Sequence, residues 1–228
     1  MTSRRAASSV SKAVGLACVV YCLFQLRTAR AEHELVQALD LGAEHEVIDD
    51  WTLALGAQLR LDQGLSRVER VMPETELEYS PLKRLSFGAG YRLIYARSGS
   101  GELEIAHRLH LRSTVSVKWH DLRLAYRAKL QDRFEITRPG GTEHQATLRN
   151  AFKLRYTGWG FADPAASIEH FLALDSLGAE PTRRWRLLFS LEQQLGPSEL
   201  SAFYRLDLPN ASDEATTHMI GLGVYVQL

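Results

Sequence analysis

Trp51-Thr52-Leu53-Ala54-Leu55-Gly56-Ala57-Gln58-Leu59-Arg60-Leu61 is the stretch on which the fold turns. Trp51, Leu53, Leu55, Ala57, Leu59 and Leu61 share one parity; Thr52, Ala54, Gly56, Gln58 and Arg60 share the other. Successive side chains on a strand point to opposite faces, so a period of two with one apolar side predicts a strand exposed to two different environments. The pattern continues downstream. Leu85, Phe87, Ala89, Tyr91, Leu93 and Tyr95 oppose Ser86, Gly88, Gly90 and Arg92; Leu122, Leu124, Tyr126, Ala128 and Leu130 oppose Arg123, Arg127, Lys129 and Gln131. Leu148, Phe152, Leu154 and Tyr156 oppose Arg149, Lys153 and Arg155, and the chain finishes on Ile220, Leu222, Val224, Val226 and Leu228.

Turn-forming residues separate these runs at Ser80-Pro81, Ser98 to Gly101, Pro139-Gly140-Gly141, Gly178 to Pro181, Gly196-Pro197 and Pro209-Asn210. The spacing predicts about ten strands, near 51–61, 70–79, 85–96, 103–117, 122–135, 145–157, 166–174, 183–194, 199–207 and 217–228. The second is the weakest, because Pro73 has no N–H to give to a ladder.

Ahead of the strands stands a different kind of segment. Arg4, Arg5 and Lys12 precede the apolar run Ala13 to Leu26, and Ala29-Arg30-Ala31 has the small residues of a cleavage site. Residues 1–31 therefore read as a secretory signal peptide, the run being shorter than the roughly 20 residues of a membrane-spanning helix. Both cysteines, Cys18 and Cys22, fall inside it. The exported part then has no disulfide, thiolate metal site or cysteine nucleophile. Its 22 basic residues face 27 acidic ones, a net charge of −5 that disfavours a nucleic-acid partner. Residues 32–50 are acidic, with an echo of Glu32-His33-Glu34 in Glu44-His45-Glu46, and read as a solvated lead-in rather than as metal ligands. Residues 51–228 form the barrel domain.

Several of the strands are 10–14 residues long, against about 5–6 in a typical globular strand, and a tilted membrane crossing needs roughly 9–11. With both ends of this domain on the periplasmic side, Trp51, Tyr79, Trp119, Tyr156 and Trp159 gather at one boundary and Tyr95, Phe134 and Trp185 at the other. Gly221 to Leu228 is an amphipathic strand that resembles the terminal signal read by the outer-membrane barrel-assembly machinery, with Leu228 in place of the usual aromatic. The expected fold is all-β: a transmembrane antiparallel up-and-down β-barrel in the outer membrane, its partners the surrounding lipid and that machinery.

The polar face is ionic. Glu76, Glu78, Arg92, Glu104, Arg108, Arg127, Arg133, Glu135, Arg149, Arg155, Glu169, Arg186 and Glu192 are the expected lumen charge network, with Glu104 a candidate partner for Arg127. A barrel of this size has an interior filled by side chains, and buried charges must pair to be tolerated, so the stripe reads as an ionic plug. His107 falls on the apolar parity, unless a bulge turns it inward. No catalytic residue, metal site or cofactor is expected; any small-molecule ligand is left open. Two alternatives stand beside this reading. One is an outer-membrane hydrolase using His144 with Glu143, Glu135 as the orienting group and Ser66 as the hydroxyl. The other is a soluble periplasmic ligand binder.

Glu104-Ile105-Ala106-His107-Arg108-Leu109 resembles the Glu…His-Arg signature of an uncharacterised Gram-negative outer-membrane barrel family, domain of unknown function twenty-four-ninety. Arg127 and Arg133-Phe134-Glu135 are similar to its arginine-rich next strand, and Arg149 to Tyr156 and Glu169-His170-Phe171 to later ones. The resemblance spans Asp49 to Leu228 and implies an outer-membrane barrel with no established activity, substrate or cofactor.

Overall fold

A computed structural model describes residues 33–61, 67–97, 101–135, 144–174, 182–210 and 215–228. Among them eleven strands follow in chain order: β1 (His33–Ile48), β2 (Trp51–Leu61), β3 (Val68–Leu82), β4 (Leu85–Arg97), β5 (Leu103–Trp119), β6 (Leu122–Glu135), β7 (His144–Tyr156), β8 (Asp163–Ala173), β9 (Thr182–Leu195), β10 (Ser198–Pro209) and β11 (Thr216–Gln227). Each pairs with the next, and β1 closes on β11. The expected closed all-β barrel is present. The signal-peptide segment, Ser66 and Glu143 lie outside the described residues.

The segment expected as a lead-in is corrected to a strand. β1 pairs with β2 from Gln37↔Leu61 to Ile48↔Trp51. Asp50, with φ of 68°, makes the tight reversal between them, a left-handed conformation that aspartate tolerates better than most residues. The count is therefore eleven rather than ten, and the even barrel with both ends on one side does not form. An odd number of alternating strands leaves the first and last running the same way. Thr217 Oγ1 donates to Glu34 Oε2 at 3.4 Å, and the Leu228 amide donates to the Glu44 carbonyl at 2.9 Å. Both numbers rise together, so the closing seam is parallel, whereas all other neighbours are antiparallel.

The connections sort by rim. At one end four are two-residue turns, 49–50, 83–84, 120–121 and 196–197, beside the longer 157–162; at the other they run over 62–67, 98–102, 136–143, 174–181 and 210–215. Ser80-Pro81, expected as a turn, is instead the irregular end of β3, where the register shifts between Tyr79 and Leu82. Pro73 sits where the β3–β4 ladder is interrupted between Val71 and Glu74, so its missing N–H is not needed there.

The wall is apolar outside and ionic inside. Leu55, Leu77, Phe87, Leu109, Leu111, Val115, Leu124, Phe152 and Phe189 are all exposed, while Glu169, Glu192, Arg205, Asp207 and Lys129 are buried. A water-soluble barrel has the reverse distribution. Trp51 and Tyr79 stack at 4.8 Å at the short-turn rim, near exposed Trp119, Tyr156 and Trp159. Two inner sectors depart from the ionic pattern: Val36, Ala38, Phe203 and Met219 pack together beside the seam, with Leu188 against them, and Met72, Ile94, Ala96 and Ala106 pack together on β3, β4 and β5.

Candidate functional site: the charged lumen

Glu74, Glu76 and Glu78 occupy alternate positions of β3 and so stack along one inner face, a like-charge row that needs cations. They come from β4 and, across it, from β5. Arg92 Nε donates to Glu74 Oε2 at 2.9 Å, Arg112 contacts both Glu76 and Glu78, and His110 Nε2 lies 2.8 Å from Glu76 Oε2. Side chains of β3 and β5 can meet only because β4 between them is bare. Gly90 stands in register between Glu76 and His110, and Gly88 between Glu78 and Arg112. A Cβ at Gly90 would collide with the His110 ring, and one at Gly88 would crowd Arg112 and Glu76.

The second cluster is centred on Glu169. Arg149 Nη2 donates to it at 2.7 Å, Arg127 Nη2 reaches it at 3.2 Å, and Arg186 Nη1 at 3.4 Å. Small Ala151 lies in register between Arg127 and Glu169, playing the part of the β4 glycines. Arg186 also makes a forked contact to Asp207, at 2.6 and 2.9 Å. The guanidinium groups of Arg149, Arg184 and Arg186 lie 4.4–4.8 Å from the Phe171 ring centre, over an aromatic face that attracts cations. A third cluster joins Glu192 to Lys153 at 2.7 Å, to Ser190 at 3.0 Å and to Arg155.

All thirteen residues expected in the network face the lumen, and the structure pairs most of them. The expected partner of Arg127 is corrected: it meets Glu169, because the β5–β6 register sets Arg127 beside Thr114, far along the strand from Glu104. Asp207 and His110 were missed in the sequence, although each shares parity with a charged neighbour, Arg205 and Arg108 respectively. His107 stays on the outer face with no bulge. Tyr91 Oη lies 2.6 Å from its Nδ1, and its ring stacks on Phe134 at 5.2 Å.

Of the hydrolase constellation, the two described members, His144 and Glu135, are not brought together. His144 is in register with outward Phe134 and bonds Asp132 at 2.9 Å, while Glu135 faces the lumen beside Arg133 at 2.6 Å. Base and orienter are on opposite sides of the wall. Glu74, Glu76 and His110 bring three ligand-type atoms within 4.8 Å of one another. The carboxylates already meet Arg92, Arg112 and Lys129, so a divalent ion would enter a site whose negative charge is spent. These carboxylates also edge a cavity of about 560 Å³ that reaches the short-turn rim, lined in addition by Arg127, Glu199 and Tyr225.

No curated protein matches the chain. A family model described as protein of unknown function (DUF2490) matches residues 39–213, from β1 to beyond β10. The chain, with its ion-paired lumen, belongs to that family.

Proposed function

We propose that this chain is a non-catalytic integral barrel of the outer membrane, exported by a cleaved signal peptide, with a structural, narrow transport or interaction role and a lumen largely filled by ion pairs. The observation that carries the reading is the inverted wall, with leucine, valine and phenylalanine outside and charge inside. In water such a surface would drive association; in a bilayer it is the required one. The dimensions agree. Trp119 and Leu109 are ten residues apart on β5. At about 3.4 Å per residue and a tilt near 40°, that is roughly 26 Å, close to the apolar band of an outer-membrane barrel. Two-residue turns at four of the five connections of one rim, against five to eight residues in each connection of the other, match the periplasmic and outer ends of such barrels.

Membrane fractionation with N-terminal sequencing is the test. The mature protein is expected to begin at Glu32 and to sediment with outer membranes, running at a heat-modifiable position on gels. Recovery from the soluble periplasm would refute the reading.

A further inference from the structure

Arg108 is a lumen cation that the ion-pair network among the described residues leaves out. It projects from β5 between Ala106 and His110, and its partners in register are Arg92 on β4 and Arg133 on β6. Three guanidinium groups thus stand side by side on one level of the wall. Arg92 has Glu74 and Arg133 has Glu135. Arg108 has no hydrogen-bond or ion-pair partner among the described residues, and its Nε is buried without an acceptor. Glu104 is two inward positions nearer the rim on the same strand. That is about 13 Å of strand, too far for contact.

Such an arrangement is unfavourable as it stands. Guanidinium does not shed its proton under ordinary conditions, and cations sharing a partly desolvated space repel. Other arginine Nε donors are also buried without an acceptor, but Arg108 lacks a carboxylate partner as well, and a buried cation without a counter-charge calls for an ion or ligand. Planar forks on several sides fit an oxyanion, which accepts paired hydrogen bonds from arginine, better than a spherical halide. Arg92 belongs both to this row and to the wall of the 560 Å³ cavity.

We infer that Arg108, with Arg92 and Arg133 beside it, forms a lumenal binding site for a phosphate-class oxyanion, either free phosphate or the phosphoryl group of a small solute. The inference goes beyond the plug, marking where the plug is incomplete, and it does not depend on the barrel's location.

The test uses the purified full barrel in detergent. Its unfolding midpoint is measured with inorganic phosphate, with glycerol phosphate, and with sodium chloride at matched ionic strength. At least one phosphate is expected to raise the midpoint beyond the chloride effect; stabilisation by glycerol phosphate alone identifies a phosphorylated solute. Arg108→Gln should weaken that binding by about tenfold, the loss of one charge-assisted contact. Without phosphate the variant should be at least as stable as wild type, because a repulsive charge has gone, whereas Glu169→Gln should be less stable. Phosphates no better than chloride in the wild type would overturn the site, with no variant needed. So would equal responses of wild type and Arg108→Gln, or a variant destabilised without phosphate in the way a paired arginine would be.

Discussion

Glu169 meets three arginines and is 4% exposed, so its charge is held entirely by the protein. Removing the charge strands Arg127, Arg149 and Arg186 together. Glu169→Gln is therefore expected to cost about 3–5 kcal/mol in a urea titration followed by tryptophan fluorescence. Arg127→Ala is a milder change. Arg127 is 41% exposed, and Glu169 keeps its other two partners, so a loss of about 1 kcal/mol or less is expected. Equal losses at the two positions would contradict the hub. Gly90 offers a second test at this scale. Gly90→Val drives a side chain into the His110 ring and should cost about 1–3 kcal/mol, while Ala89→Val, one position away on the outer face, should be nearly neutral.

β1 decides whether the barrel closes. Deleting residues 34–48 leaves β2 and β11 as unpaired edges, and the shortened chain is expected to aggregate rather than give a heat-modifiable band. Were the segment a lead-in, the deletion would be harmless. Its strand character was hard to read for a physical reason. The first half of β1 holds Val36 and Ala38 on its inner face, where they pack against Phe203 and Met219, and the polar positions Asp40 and Glu44 come only farther along. With apolar residues on both faces, the alternation loses contrast. On β5, β6, β7 and β9 the contrast between apolar residues outside and arginine inside is clear, and those strands were legible to within a few residues. Which charges share a lumen face followed from parity alone. Which ones touch did not, because pairing depends on register and on small residues such as Gly90 and Ala151 that let side chains meet across a strand. The outer face yields its own prediction. Leu111 lies midway along β5, and Val117 lies beside Trp119 at the rim; both are exposed. In a bilayer Leu111→Arg should cost roughly 2–4 kcal/mol and Val117→Arg at most about 1 kcal/mol, measured by refolding into lipid vesicles. Two neutral substitutions would favour a water-facing wall.

The described residues form a closed wall around ion-pair clusters, apolar sectors and a cavity open toward the short-turn rim. A liposome-swelling assay should accordingly find little flux of uncharged sugars through the wild type. The parallel seam has a consequence for biogenesis. In a barrel with an even number of strands, first and last strands are antiparallel, and both chain ends stay on the side from which insertion begins. Here Glu34 lies beside Thr217 and Glu44 beside Leu228, so β1 starts at the rim opposite the one where β11 ends. In the proposed membrane orientation, the leading end of β1 must be carried across the bilayer with the surface connections, while the trailing strand stays at the assembly side. An epitope placed directly before Glu34 should then be reached by antibody on intact cells, and one appended to Leu228 only after the outer membrane is opened.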